Sequence, residues 1–260
     1  MSQGSTVLVE ARGPIRVLTL NRPDNANVLD MQMGRDLLAA ATAIAADTSV
    51  RAVVLTGAGK HFCFGGDLRG MVAGGMSSDQ YLRELTADLH RAIVTLVRMD
   101  APLIAAVNGT AAGAGVGLVA MADLAVCGEG TKFSLAYTGV ALTPDGSTSF
   151  FLPQILGNKR ALELLLTNRP LGAAEALLWG LVNQVAPDGE VLAAALALAE
   201  RLAAGPRAAQ AAVKRLVALA GSTLEAHLAI ESETISRQSV TPEGQEGIKA
   251  FLEKRKPRFD

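Results

Sequence analysis

The chain predicts an α/β fold: parallel βα units stacked through the first two-thirds, followed by a helical tail. Three observations predict it. RAVVLT (51–56) and PLIAAV (102–107) are short apolar runs, the pattern of strands buried on both faces. Between them, Asp79–Arg98 carries Leu82, Leu85, Leu89, Ile93 and Leu96 three or four residues apart, the spacing of one buried helix face. After Asp145 every periodic segment reads as helix. With 260 residues, half of them hydrophobic, the chain is long enough for one compact domain with a smaller helical appendage.

In order, Thr6–Glu10 and Ile15–Leu20 read as two strands around a Gly13-Pro14 turn. Asn21-Arg22-Pro23-Asp24 breaks the pattern, and either Asn27 or Asp30 can cap a helix running to about Ala46. Arg51–Thr56 is a strand that ends in Gly57-Ala58-Gly59, and a glycine-rich loop runs through Gly65-Gly66-Asp67. Met71 to Ser78 is small in composition and reads as a mobile segment. The helix Asp79–Arg98 follows, then strand Pro102–Val107, helix Ala112–Met121 and strand Leu124–Cys127. The expected tail helices are Phe150–Leu156, Lys159–Leu166, Ala173–Trp179, Gly189–Ala203, Arg207–Ala220, Leu224–Arg237 and Pro242–Lys254.

Composition excludes some functions. A net charge of −1 offers no basic excess for nucleic acid. The cluster Lys254, Arg255, Lys256, Arg258 suits either a solvated helix end or a phosphate patch. Two lone cysteines, Cys63 and Cys127, point to a reducing, cytoplasmic setting, and MSQGSTVLVEARG lacks the pattern of a signal peptide. Ala101 to Ala122 is charge-free and long enough to span a bilayer, but Pro102, Asn108, Thr110 and four glycines argue for a buried strand, a turn and a helix instead. No membrane association is expected.

Asp145 stands out chemically. Between Ala101 and Arg160 the carboxylates are Asp123, Glu129 and Asp145 alone, and Asp145 sits in a Thr-Pro-Asp-Gly-Ser turn. Asp in that setting is ordinary turn chemistry. A carboxylate at the edge of an apolar pocket is also a candidate acid–base group, since burial favours its protonated form. The glycine strings are weak signals. Gly115-Val-Gly117-Leu-Val-Ala120 matches G-x-G-x-x-A, but it does not directly follow a strand and residues 137–140 offer no acid. Gly59-Lys60 is followed by His61, so no nucleotide P-loop is present. The two loops better suit a pair of amide donors, Gly66 N–H and Ala114 N–H, aimed at one oxygen as an oxyanion hole; close helix–strand packing is the alternative use of these glycines. His61 and His227 read as surface or packing residues, and Asp67 as a loop-fixing residue.

LNRPDNANVLD (20–30), VVLTGAGKHFCFGGDL (53–68), PLIAAVNGTAAGAGVGL (102–118), ALLWGLVNQV (176–185) and QEGIKAFLEKRKPRF (245–259) together resemble the crotonase (enoyl-CoA hydratase/isomerase) superfamily, across nearly the whole chain. The resemblance implies a spiral core of ββα units over residues 1–200 and a C-terminal helical region over 201–260 that assembles a homotrimer or a dimer of trimers. It implies a coenzyme A thioester as substrate, with no resident cofactor or metal. It assigns the oxyanion amides to Gly66 and Ala114, and CoA contacts to Asn25, Ala26, Phe64, Asp67, Leu68, Phe251 and Lys254. The two glutamates of the hydratases fall on Gly117 and Tyr137, which disfavours hydration by that route.

GVALTPDGSTSFFLPQILG (139–157) looks closest to epoxyphenylacetyl-CoA isomerase-like members, where the Asp, here Asp145, shuttles a proton. In 4-chlorobenzoyl-CoA dehalogenases an Asp at this place is the nucleophile, with a His that falls on His90 and a Trp that falls on Tyr137. Tyr137, His90, Gly117 and Met71 are thus candidate pocket residues. Enoyl-CoA isomerisation is the leading expectation. Hydration through an unusual base, dehalogenation and a non-catalytic CoA-binding scaffold are the alternatives.

Overall fold

In the computed structural model, which describes residues 5–73, 75–219 and 223–259, a six-stranded sheet forms the centre. Its strands are β1 (Val7–Arg12), β2 (Ile15–Leu20), β3 (Ala52–Gly57), β4 (Leu103–Val107), β6 (Leu124–Gly128) and β9 (Gln184–Ala186), in the order β1-β2-β3-β4-β6-β9. Gly13, at a φ of +57°, closes the antiparallel β1–β2 hairpin, and every other pairing in this sheet is parallel. β3 and β4 are buried along their whole length, which is why they read as unbroken apolar runs. A smaller sheet joins β5 (Ala111–Ala112), β7 (Lys132–Ser134) and β8 (Leu171–Gly172).

The main sheet is covered on both faces. On one lie α1 (Met31–Ala46), α3 (Ser78–Arg98) and α4 (Ala114–Ala120), whose Leu37, Leu89 and Val116 join Leu18, Leu55 and Val107 in the larger core cluster. Asp30 caps α1, accepting from the Met33 N–H at 2.8 Å. On the other face α8 (Val191–Ala203) lays Val191, Ala195 and Ala199 over Val17, Val54, Ile104 and Val126. The remaining helices are α2 (Leu68–Ala73), α5 (Thr148–Leu156), α6 (Asn158–Thr167), α7 (Ala173–Trp179), α9 (Arg207–Ala218), α10 (Leu224–Ser239) and α11 (Pro242–Leu252).

The structure corrects several expectations. Strands do occur after Asp145: β9 extends the main sheet and β8 the small one, each too short to display a period. Met71 lies in α2, whose first turn is held by the Gly70 N–H donating to Asp67 Oδ1 at 2.9 Å; Gly74, in the segment expected to be mobile, lies outside the described residues. The buried stripe of α3 starts at Tyr81, with Leu82 only half-buried. The helix expected from Ala112 starts at Ala114, since Ala111 and Ala112 pair with β7. α9 ends at Ala218; Ala220, the end expected for it, is outside the described residues. α11 stops at Leu252, and Lys254 follows it at a φ of +54°.

Candidate functional site

The ends of β2, β3 and β4 deliver three loops to one edge of the sheet. Asn27 ties the first two together. It is fully buried at a φ of +54°, and its Nδ2 donates to the Ala58, His61 and Phe62 carbonyls at 2.9, 2.8 and 3.2 Å. Its Oδ1 accepts from the Arg22 N–H at 2.8 Å. Asn is among the few residues that tolerate this left-handed backbone. Asn108 performs the same service between the second and third loops, accepting from the Gly57 N–H and donating to the Gly59 carbonyl.

These ties set the direction of the Gly66 amide. Leu29 forms a one-residue parallel bridge opposite Gly66: the Leu29 N–H donates to the Gly65 carbonyl at 2.7 Å, and the Asp67 N–H donates to the Leu29 carbonyl at 2.9 Å. Backbone groups alternate sides along an extended segment, so the Gly66 N–H points away from Leu29. Gly65, at a φ of +79°, lets the loop press against the next one, and a Cβ there would sit 3.1 Å from Ala114 N. Among the described residues, neither the Gly66 nor the Ala114 N–H has a protein acceptor. α4 is only seven residues long, so the Ala114 amide itself, rather than a helix dipole, is the group available to a ligand.

Asp145 lies in the turn that precedes α5 and packs against α4. Its carbonyl accepts from the Thr148 N–H at 3.0 Å, and Gly146 and Ser147 take φ values of +55° and +69°, so the main chain is a tight turn. The turn reading therefore holds for the backbone. The side chain does something else: it neither caps α5 nor folds onto its own turn, and its Oδ1 accepts from the Tyr137 hydroxyl at 2.8 Å. Tyr137 is buried, with Thr148 Oγ1 at 3.4 Å and its ring beside Gly113. Burial, with the neighbouring Asp145 carboxylate, pushes the Tyr137 phenol well above its ordinary range, so it stays a protonated donor.

The turn also packs directly on α4. A Cβ on Gly146 would sit 2.8 Å from the Ala114 Cβ. A Cβ on Gly117 would collide with the Gly146 carbonyl oxygen and lie 2.7 Å from Thr148 Oγ1. A side chain at position 117 therefore requires the Asp145–Gly146 turn to move away. Gly115 is packed in the same way against the Cys63 carbonyl. Both glycines of the G-x-G string serve close packing.

The structure thus gathers Gly66, Ala114, Gly117, Tyr137 and Asp145. It adds Thr148, which nothing in the sequence singled out, and Asn27, which was legible only as a helix cap. The residues expected to contact CoA fall in two groups. Asn25, Ala26, Phe64, Asp67 and Leu68 line one rim, where the Phe64 N–H donates to the Ala26 carbonyl at 3.1 Å and Phe64 and Leu68 are 39% and 41% exposed. Asp67 turns inward to Arg22 and to the Gly70 N–H, as expected of a loop-fixing residue. Phe251 is 84% exposed on α11, and it and Lys254 make no hydrogen bond to that rim. His90 is exposed on α3 and Met71 is half-buried in α2. The His61 and Phe64 rings lie 4.5 Å apart at a tilt of 53°. An open cleft of about 880 Å³ between α11 and the tail, lined by Glu243, Glu246, Arg255 and Arg258, contains none of the gathered residues. The candidate site is the cluster around the amides and the Asp145 carboxylate, apart from that cleft.

Known proteins match this chain over nearly its whole length. The family model for enoyl-CoA hydratase/isomerase matches residues 10–260. A protein described as a probable enoyl-CoA hydratase from Rhodobacter capsulatus is 38% identical, over 98% of this chain and 97% of its own. A 4-chlorobenzoyl coenzyme A dehalogenase from Arthrobacter is 35% identical over 95% of this chain and 91% of its own, and the 1,2-epoxyphenylacetyl-CoA isomerase of Escherichia coli 31% over 97% of each. The crystal structure of an enoyl-CoA hydratase from Polaromonas superposes with a TM-score of 0.93 at 34% identity, over 98% of this chain and 99% of its own. The chain belongs to the enoyl-CoA hydratase/isomerase family of the crotonase superfamily, and it is an acyl-CoA enzyme of that family.

Proposed function

We propose that the protein moves a double bond along an enoyl-CoA thioester, with Asp145 as the single proton carrier. The observation that supports this most is the packing of the Asp145–Gly146 turn against position 117. Position 117 is a glycine with the Gly146 carbonyl packed against it and position 137 holds a tyrosine, which leaves Asp145 as the carboxylate on the turn that packs against Ala114. A 3-enoyl thioester has acidic protons at C2, because the thioester accepts charge as an enolate. Gly66 N–H and Ala114 N–H would hold the developing oxyanion, and losing one such donor typically costs about 10²–10³ in rate.

Asp145 would take a proton from C2 while the C2–H electrons form the dienolate. It would return the same proton to C4 as the double bond settles between C2 and C3. One base suffices, and no other atoms enter or leave. Tyr137 holds Oδ1, which leaves Oδ2 to carry the proton.

A second reading rests on the dehalogenase relatives: Asp145 as a nucleophile towards an aromatic acyl-CoA. A third, hydration through an unusual base, rests on the hydratase relatives. One experiment separates them. Purified protein is incubated with a panel of acyl-CoA thioesters in oxygen-18 water and the products are weighed. Mass-neutral conversion of a 3-enoyl-CoA is the expected result. Uptake of solvent oxygen would sink isomerisation in favour of hydration, chloride release from 4-chlorobenzoyl-CoA would favour dehalogenation, and binding without turnover would leave a CoA-binding scaffold.

A homotrimer or dimer of trimers is part of the same reading. It is supported by the apolar surface on α9–α11, where Val217, Leu224, Ile235, Val240 and Phe251 are 67% to 84% exposed. Light scattering on the eluting species tests it. No described helix is long and apolar enough to cross a membrane.

A further inference from the structure

The loop that presents the Gly66 amide is held by a charged knot outside the reacting groups. The Arg22 guanidinium faces two carboxylates: its Nη1 and Nη2 both lie 3.3 Å from Asp67 Oδ2, and Nη1 lies 3.2 Å from Asp30 Oδ2. Nη1 also donates to the Val28 carbonyl at 2.9 Å. The three side chains are only 15% to 26% exposed. The second oxygen of each carboxylate is engaged at a helix start, Asp30 Oδ1 with the Met33 N–H and Asp67 Oδ1 with the Gly70 N–H. One cation therefore clamps both strands of the Leu29–Gly66 bridge, at the residue after Leu29 and at the residue after Gly66.

We propose that Arg22 is a positioning residue for the reaction, fixing the direction of the Gly66 N–H by neutralising Asp30 and Asp67 on either side of that bridge. The proposal rests on the reading of Gly66 as an oxyanion donor. Its physical basis is simple. A one-residue bridge has only two backbone hydrogen bonds to hold it, and without the guanidinium two partly buried carboxylates face each other as like charges. The loop then relaxes away from Asp30 and takes the amide with it. A planar fork reaches three acceptors at once, which an ammonium group does less well.

The test measures two quantities in wild type, Arg22→Met, Arg22→Lys and Arg16→Met. The last removes a remote ion pair, Arg16–Asp47 at 2.9 Å. The quantities are turnover of the acyl-CoA that wild type processes, and the infrared carbonyl band of bound hexanoyl-CoA labelled with carbon-13 at the thioester carbon. Hydrogen bonds to that carbonyl lower its stretching frequency. In Arg22→Met, kcat should fall about 10- to 100-fold, short of the full loss of an oxyanion donor, and the band should move up towards its position in water. Arg22→Lys should recover part of both. Arg16→Met should leave the band in place and kcat within about twofold.

Turnover within twofold of wild type in Arg22→Met would overturn the proposal. So would a loss of turnover with the band unmoved, which is the mark of a purely structural role. If Arg22→Met does not fold, Arg22→Lys carries the test: wild-type kcat and band position there overturn it. A wild-type band no lower than that of free hexanoyl-CoA would instead overturn the oxyanion reading itself, so the two failures are distinguishable.

Discussion

Replacing Gly117 by alanine probes the turn that carries Asp145. The added methyl would lie 2.7 Å from Thr148 Oγ1 and closer still to the Gly146 carbonyl oxygen. Heavy-atom contacts are comfortable near about 3.5 Å, so the Asp145–Gly146 turn must retreat by about 1 Å. Neither obstacle is a flexible side-chain end: one is backbone, and the other belongs to a fully buried threonine. Overpacking of this kind costs about 1–3 kcal/mol, or a fall in Tm of about 2–12 °C for a chain of this size. A 1 Å displacement of the proton carrier costs about 100-fold in kcat. The control is Gly189→Ala, where an added methyl meets open space and stability should hold within about 0.5 kcal/mol. Thermal melts and steady-state kinetics on the acyl-CoA that wild type processes read both effects. If Gly117→Ala kept kcat within twofold and Tm within a degree of Gly189→Ala, the claim that this packing sets Asp145 would be wrong.

Asp145→Asn should lower kcat by about 10²–10⁴ with little change in Tm, and an unchanged kcat defeats the shuttle. Tyr137→Phe removes a hydrogen bond to a carboxylate worth about 1.5–3 kcal/mol, so kcat should drop about 10-fold or more while KM moves little; a loss confined to KM contradicts the role given to the phenol. Asn27→Ala removes the four hydrogen bonds of a fully buried side chain and strains a left-handed residue, so urea unfolding should report a loss of about 3 kcal/mol or more. Burial pushes the Cys63 and Cys127 thiols up from the ordinary 9.0 to about 12 and about 11. The folded state thus keeps protons that the unfolded chain sheds. Stability should be intact below pH 9 and decline as pH rises towards 11, by up to about 2.7 kcal/mol per pH unit for the two thiols. Urea midpoints that stay level from pH 8.5 to 10.5 contradict this.

Much of the scaffold is legible in the chain because it follows from local rules. β3 and β4 are buried on both faces, so they read as apolar runs, and α3 has one buried face, so it reads by its spacing. β7, β8 and β9 have two or three residues each and exist only through pairing with distant partners, which no local pattern encodes. The site divides the same way. Asp145 is legible as a carboxylate beside a charge-free stretch, and the missing acid at 117 is legible as a glycine. That this glycine is needed because a turn from 29 residues later presses on it is a tertiary fact. The same holds for the Tyr137–Asp145 hydrogen bond and for the Asn27 knot.

The second face of the central sheet has a bearing on how the chain is made. Ile15, Val17, Val54 and Ile104 have all left the ribosome before α8, their cover, which spans residues 191–203, is complete. At synthesis rates of about 5–20 residues per second, that apolar face waits on the order of 5–20 s for its partner. A nascent chain truncated before Val191 would carry its parallel strands with one apolar side bare. Such fragments should depend on chaperones far more than the finished chain does, and ribosome pausing between Val107 and Val191 should be the step at which expression yield is most easily lost.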